Sequence, residues 1–382
     1  MQTETLAAFA HNAAHRVEQE VGEDAQARCA LALVAEAGLL THTVPARWGG
    51  ASHPGVDESA VSVRILCSLR NVLSFASGML DVMFVEQGLG SYPLALGGQG
   101  EWVREVLAEV MRGERVAAFA LTETGAGSDL SAVATHAQHD ADGWRLSGSK
   151  TFITNAGIAD FYTVLARTSG QPGEREGLSM FFVPADQGGL QVERFEVMAP
   201  HPIGTLTFED VRVEPQWLLG TLGGGLELAL ATLGRFRTSV AAAANGFSRR
   251  ALHESMAHLE RRQQFGRPLS SFQGLRFDLA EMDARLAAGE LLVREAAEAI
   301  DQGMEASTEV ARAKWWCTEN ASWICDRAVQ HLGGLGVQRG QVVERLYREV
   351  RALRIYEGTS EVQKLILAKN ALERHRKENP LG

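Results

Sequence analysis

The hydrophobic period of this chain changes twice, and that alternation limits its fold more than any single residue does. Up to about Arg115, alanine, leucine and glutamate recur at helical spacing, with breaks at Pro45, Trp48-Gly49-Gly50, Pro54-Gly55, Gly88 to Pro93 and Gly97-Gly98. From about Val116 the pattern becomes short alternating runs: Gly143 to Gly148, Phe161 to Ala166, Leu178 to Val183 and Gly204 to Phe208. From Leu226 the helical period returns in three long tracts, Leu226 to Arg262, Leu275 to Gly303 and Ala306 to His331. Shorter tracts follow, broken by Gly333-Gly334-Leu335-Gly336 and by Gly358. The chain therefore reads as α+β in three blocks: helical 1–117, β 118–225 and helical 226–382. The segment Phe75 to Phe84 is apolar nearly all round and is expected to form one buried helix.

At 382 residues, 45% of them hydrophobic and 22% charged, the chain has the composition of a globular protein of two or three domains. A formal net charge of −10 argues against nucleic acid or an anionic membrane as partner, while leaving room for a local basic pocket. Cys29, Cys67, Cys317 and Cys325 form no C-x-x-C pair, so reduced thiols are expected rather than a disulfide or metal framework. The start, Met1-Gln2-Thr3-Glu4-Thr5, lacks the character of a targeting peptide, and no apolar run reaches membrane-spanning length. The expectation is a cytoplasmic protein without metal.

Four segments and one short string carry chemistry. In Phe119-Ala120-Leu121-Thr122-Glu123-Thr124-Gly125-Ala126-Gly127-Ser128-Asp129 a strand runs into a glycine-rich turn. Backbone amides there can point at an anion, with Thr122 and Ser128 adding hydroxyls. In Lys150-Thr151-Phe152-Ile153-Thr154-Asn155 an aromatic ring lies two places before a hydroxyl on a strand, suited to stacking on a flat ring. The stretch Arg262-Gln263-Gln264-Phe265-Gly266-Arg267-Pro268, continuing to Phe272-Gln273, is a basic corner where a long helix ends. Gln330-His331-Leu332-Gly333-Gly334 ends another helix, with His331 expected to be a packed residue. Last, Ile355-Tyr356-Glu357-Gly358-Thr359-Ser360-Glu361 places a carboxylate at a break between helices. A carboxylate there suits a general base, and the residues alone also fit an ordinary helix corner.

Taken together and in this order, these segments resemble the acyl-CoA dehydrogenase family over nearly the whole chain. Residues 120–132 meet every position of the family's first signature; in its second, Gly340 replaces the usual Asp, Glu or Asn, and Met198 to Thr205 replaces a common Gly-Ser pair. The resemblance implies a helical N-terminal domain, a middle β-barrel or sandwich and a C-terminal four-helix bundle. It implies FAD held by Phe119, Leu121, Thr122, Gly127, Ser128, Phe152, Ile153, Thr154, Thr359 and Glu361. Arg262, Gln264, Phe265, Phe272, Gln273, Gln330, Gly333 and Gly334 would reach a neighbouring subunit's FAD in a homotetramer. Substrate would meet Ser128, Arg237 and Gly358, and Glu357 would be the base, since Gly234 and Phe236 cannot supply one from the preceding helix. The implied reaction is α,β-dehydrogenation of an acyl-CoA, with electrons passed to electron-transferring flavoprotein. An oxygen-using acyl-CoA oxidase or monooxygenase, or a non-enzymatic CoA-binding scaffold, are the alternatives.

Overall fold

Alanine- and leucine-rich segments bounded by glycine form the first helices: α1 (Thr3–Gln19), α2 (Glu23–Glu36), α3 (Val63–Ala76), α4 (Gly78–Gly97) and α5 (Glu101–Met111). The structure, a computed structural model, describes residues 3–379. The segment expected as one helix across 75–84 is split at Ser77, whose amide closes α3 on Leu73 O at 2.7 Å. An all-apolar run hides such a break, because no change of period marks it. The segment is buried as expected: Leu80, Met83 and Phe84 have no exposed surface.

Eight strands follow: β1 (Ala117–Ala120), β2 (His136–Asp140), β3 (Gly143–Thr154), β4 (Phe161–Arg167), β5 (Leu178–Pro184), β6 (Leu190–Arg194), β7 (Ile203–Val213) and β8 (Leu218–Leu219). They form one sheet in the order β6-β7-β3-β2-β4-β5-β8, with β1 parallel to β4. After them come α6 (Gly225–Arg261), the two-stranded hairpin β9 (Gln263–Gln264) and β10 (Arg267–Pro268), then α7 (Gln273–Asp301), α8 (Ser307–Leu332), α9 (Val342–Glu349) and α10 (Ser360–Glu378). The helical, β and helical blocks expected from the periodicity are all present. No helix among the described residues is long and apolar enough to cross a membrane.

By contact the chain forms two units, divided within α1, after Ser62, after Gly78 and within α6 between Phe236 and Arg237. The sheet unit has its core in Leu165, Leu178, Met180 and Phe182 from the strands, with Leu94, Val103 and Leu107 from the helices. Every residue of β4 is buried, and its one hydroxyl in Phe161 to Ala166 besides Tyr162, that of Thr163, donates to Gly90 O at 3.1 Å. Gln87, fully buried on α4, donates to Val110 O and Arg115 O and accepts from Ala117 N at 2.7 Å, fixing where β1 begins. Gly88 is obligatory beside it, because a Cβ there would lie 2.4 Å from the Phe236 ring.

The second unit is a bundle of α7, α8, α10, α3 and the remainder of α6, with a core of Val240 to Ala244, Met282, Val293, Cys317 and Ile324. Asp301, buried near the C-terminus of α7, accepts from the amides of Val63 and Arg64 and so caps the start of α3. All four cysteines are free, and Cys67, Cys317 and Cys325 are buried, as expected of reduced thiols. No group of three metal-ligating side chains occurs among the described residues.

Candidate active site

In the sheet unit, the glycine-rich segment leaves β1 and closes a tight turn: Glu123 and Ala126 exchange backbone hydrogen bonds of 2.9 and 3.1 Å. A Cβ added at Gly125 or Gly127 would meet nothing within 4 Å, so these backbones face open space. What holds this loop is buried beneath it. Lys150 Nζ, with no exposed surface, donates to Glu123 Oε1 at 2.7 Å and to Leu121 O at 2.9 Å. Glu123 Oε1 also accepts from Thr135 N at 3.0 Å, and Oε2 accepts from Ala134 N at 2.8 Å. One carboxylate thus ties both ends of the loop to β3. Burial works against the charge on Glu123, but the charge and hydrogen bond of Lys150, with the Ala134 amide and Thr135 behind them, hold its carboxyl below the usual range. Burial pushes Lys150 down to about 8, against the pull of Glu123. The pair is therefore ionised at neutral pH, and removing one partner costs about 3–5 kcal/mol by leaving the other charge buried alone.

Along β3 the pairing with β7 shifts register between Lys150 and Ile153. Phe152 sits in this bulge with φ +57°, and Asn155, just past the end of β3, has φ +65°. The result is a ring that stands off the sheet: Phe152 is 62% exposed and meets Phe195 edge-on at 5.2 Å, while Ile153 is buried and Thr154 half-buried. Ile153 can offer a ligand only its backbone. Phe119 and Thr122 are half-buried, Leu121 is buried, and Gly127 and Ser128 are exposed at the loop's outer edge. Open glycine backbone, hydroxyls and an aromatic face together fit a flavin nucleotide.

In the helical unit, the chain passes from a 3₁₀ turn at Ala352–Arg354 to α10 through Tyr356, Glu357 and Gly358. Glu357 has φ +52° and Gly358 φ +91°. Left-handed backbone at a glutamate costs roughly 1–3 kcal/mol and persists only where its surroundings over-determine it. Here they do, through main-chain oxygens. Lys314 Nζ donates to Tyr356 O at 3.0 Å and Gly358 O at 2.7 Å, Arg237 Nε donates to Glu357 O at 2.7 Å, and Gln363 Nε2 donates to Gly358 O at 3.0 Å. Glu319 clamps both shoulders, accepting from Arg354 Nε at 2.9 Å and from Ser360 Oγ at 2.6 Å. Thr359 caps α10 by accepting from Val362 N at 3.3 Å. The Glu357 side chain is half-buried, with two cations near it. Burial pushes the Arg237 guanidinium below its ordinary value, and Glu357 opposes it. Burial likewise pushes Lys314 down to about 8, opposed first by Glu357.

The remaining segments lie on the bundle. Gln264 and Arg267 pair across the hairpin, whose tip is Phe265 (φ +53°) and Gly266 (φ +76°). Phe265 is 92% exposed, and Arg267 packs its guanidinium 4.1 Å from the Phe272 ring. Arg262, Gln273, Gln330, Gly333, Gly334 and Glu361 are exposed, and Thr359 is half-buried. His331 is a packed residue: it is buried between Ser255 Oγ and Asp278 Oδ2, at 3.2 Å from each. In the sequence Glu123 and Lys150 stand inside motif segments with nothing to mark them as a pair, and Lys314 is a lone lysine in a helical tract, which carries no motif.

This architecture has known counterparts. Sequence models of the acyl-CoA dehydrogenase middle domain and C-terminal domain match residues 118–211 and 223–372. A 3-(aryl)acrylate reductase of Clostridium sporogenes is 38% identical over 344 residues, 89% of each chain. The mitochondrial short-chain specific acyl-CoA dehydrogenase of Bos taurus is 35% identical over 89% of this chain and 82% of its own. The structure of butyryl-CoA dehydrogenase from Megasphaera elsdenii superposes with a TM-score of 0.87 at 28% identity, covering 97% of this chain and 98% of that one. The chain belongs to the acyl-CoA dehydrogenase family. It is accordingly an oxidoreductase with that family's fold.

Proposed function

We propose that the protein dehydrogenates an acyl-CoA thioester between Cα and Cβ, with Glu357 as the base that takes the α proton. The observation that carries this reading is the Glu357 turn: a carboxylate on left-handed backbone, each of whose three neighbouring carbonyls is bound by a side-chain donor. A turn that costs backbone strain and draws in the buried Lys314 and the half-buried Arg237 is a specific arrangement of one side chain. The cofactor read for the sheet unit is FAD, which when bound supplies the acceptor for the β hydride. Phe119 to Ser128 would hold it by backbone amides and hydroxyls, with Phe152 and Thr154 along its ring system. The Glu357 amide would donate to the thioester oxygen as that oxygen gains charge, and Arg237 keeps this amide in place through the next carbonyl. Ser128 and Gly358 complete the expected substrate contacts.

On the same reading residues 1–117, 118–225 and 226–382 are three domains, electron-transferring flavoprotein is the electron acceptor, and Arg262, Gln264, Phe265, Phe272, Gln273, Gln330, Gly333 and Gly334 meet a neighbour's cofactor in a homotetramer. A second reading keeps the site and reverses the direction, reducing an arylacrylyl thioester; the identity to a relative named as a 3-(aryl)acrylate reductase favours it. In that direction Glu357 would deliver the proton to Cα. The test is an anaerobic titration of purified yellow protein with short, branched, cyclic and 3-arylpropionyl-CoA thioesters, following flavin absorbance in wild type and Glu357→Gln. Bleaching with one class, lowered by about 10²–10⁴ in rate in the variant, is expected. A variant keeping more than a tenth of the rate would remove Glu357 from the role, and selective bleaching by the aryl ester would favour the second reading.

A further inference from the structure

We propose that Lys314 is the positioning residue of the proton-transfer step: from α8 it grips the main chain on both sides of Glu357 and holds the carboxylate in place to receive the α proton. The inference rests on the reading of Glu357 as base. Its geometry is that of a clamp, with one ammonium bound at 3.0 Å to the carbonyl before Glu357 and at 2.7 Å to the carbonyl after it. An ammonium has three donors on one atom, so a single point can bridge the two ends of a turn.

A buried lysine with no exposed surface is a costly choice for a bundle core unless its charge is used, and an uncharged residue of similar length would fill α8 equally well. What the charge faces is the turn. Glu357 lies on it, Arg237 approaches from α6, Glu319 from α8 itself and Glu361 from the first turn of α10. Arg237 binds the carbonyl oxygen of Glu357 and Gln363 shares that of Gly358, but neither spans Glu357. Lys314 alone of these donors contacts both flanking residues. Without it, the strain at φ +52° is released by letting Glu357 relax toward ordinary backbone, which swings its carboxylate away.

The step itself is simple: the Cα–H bond breaks, its electron pair stays on carbon and is delocalised onto the thioester oxygen, and the proton goes to Glu357. It can be read without hydride transfer by using thioesters with sulfur in place of Cβ. The experiment incubates the FAD-loaded protein with methylthioacetyl-CoA or phenylthioacetyl-CoA in deuterated buffer and measures exchange of the α hydrogens by mass spectrometry, alongside the dissociation constant of each ester. Wild type is expected to exchange, and Glu357→Gln to lose exchange. Lys314→Met is expected to lose tenfold to a hundredfold in exchange rate while binding the esters within threefold of wild type; Lys314→Arg, which keeps a cation and several donors, is expected to recover at least part of the rate. Exchange within threefold of wild type in Lys314→Met, with Glu357→Gln inactive, would overturn the inference alone. Exchange retained in Glu357→Gln, or absent from wild type with both esters, would overturn the base assignment and the inference with it. Should Lys314→Met not fold, Lys314→Arg and Lys314→Gln decide: equal rates in these two would overturn the inference, since only the former keeps the charge.

Discussion

Arg237 Nε donates a 2.7 Å hydrogen bond to the main-chain oxygen of Glu357, 120 residues further along the chain. The guanidinium therefore holds this residue by its backbone. Lys314 binds the main-chain oxygens of Tyr356 and Gly358 on either side, and Gln363 binds that of Gly358. Holding a base by the main chain of its turn fixes where its carboxylate stands.

Gly358 is the position where this arrangement is least tolerant. Its φ of +91° disfavours any side chain, and a Cβ would lie 2.6 Å from Gln363 Nε2. Gly358→Ala should cost about 1–2 kcal/mol from the backbone alone and should lower kcat by more than it lowers thermal stability. Steady-state kinetics beside calorimetry would check this; unchanged kcat in a folded variant would contradict it.

The Lys150–Glu123 pair makes a prediction about cofactor retention. Glu123→Gln or Lys150→Met should destabilise the folded state by about 3–5 kcal/mol and yield protein with less flavin per chain, because both loop ends lose their anchor. Urea unfolding and the flavin-to-protein absorbance ratio are the measurements. A variant as stable and as yellow as wild type would refute the role given to this pair.

Lys314 gives stability a definite dependence on pH. Its folded value is pushed down to about 8 from an ordinary 10.5, so folding releases a proton between these values. The cost of burying its charge is fully present below about pH 8 and is relieved as pH rises toward 10.5. The stability of wild type relative to Lys314→Met should therefore increase between pH 8 and pH 10. Chemical denaturation of both proteins at several pH values would show it, and a constant difference would not fit.

Phe265 predicts association. An aromatic side chain that is 92% exposed at the tip of a hairpin, in left-handed backbone, is a poor choice for a surface meeting only water. Phe265→Ser should lower the mass measured by light scattering and reduce flavin content together. Loss of neither would separate this corner from both roles.

The sequence by itself determined the succession of helical, β and helical blocks, because helical and strand periods are local properties of the chain and switch sharply near Val116 and Leu226. It also determined the candidate site residues, since glycine-rich turns and a carboxylate at a helix break leave marks in the string. Only the tertiary structure decided what holds them. Phe152, Asn155, Phe265 and Glu357 all adopt positive φ without being glycine, and nothing in a residue's type announces strain imposed by its surroundings. Lys314 lies 42 residues from Tyr356 on a helix of ordinary pattern. Its partners are main-chain oxygens, which every residue carries alike, so a hydrogen bond to them has no signature until the fold brings the two segments together.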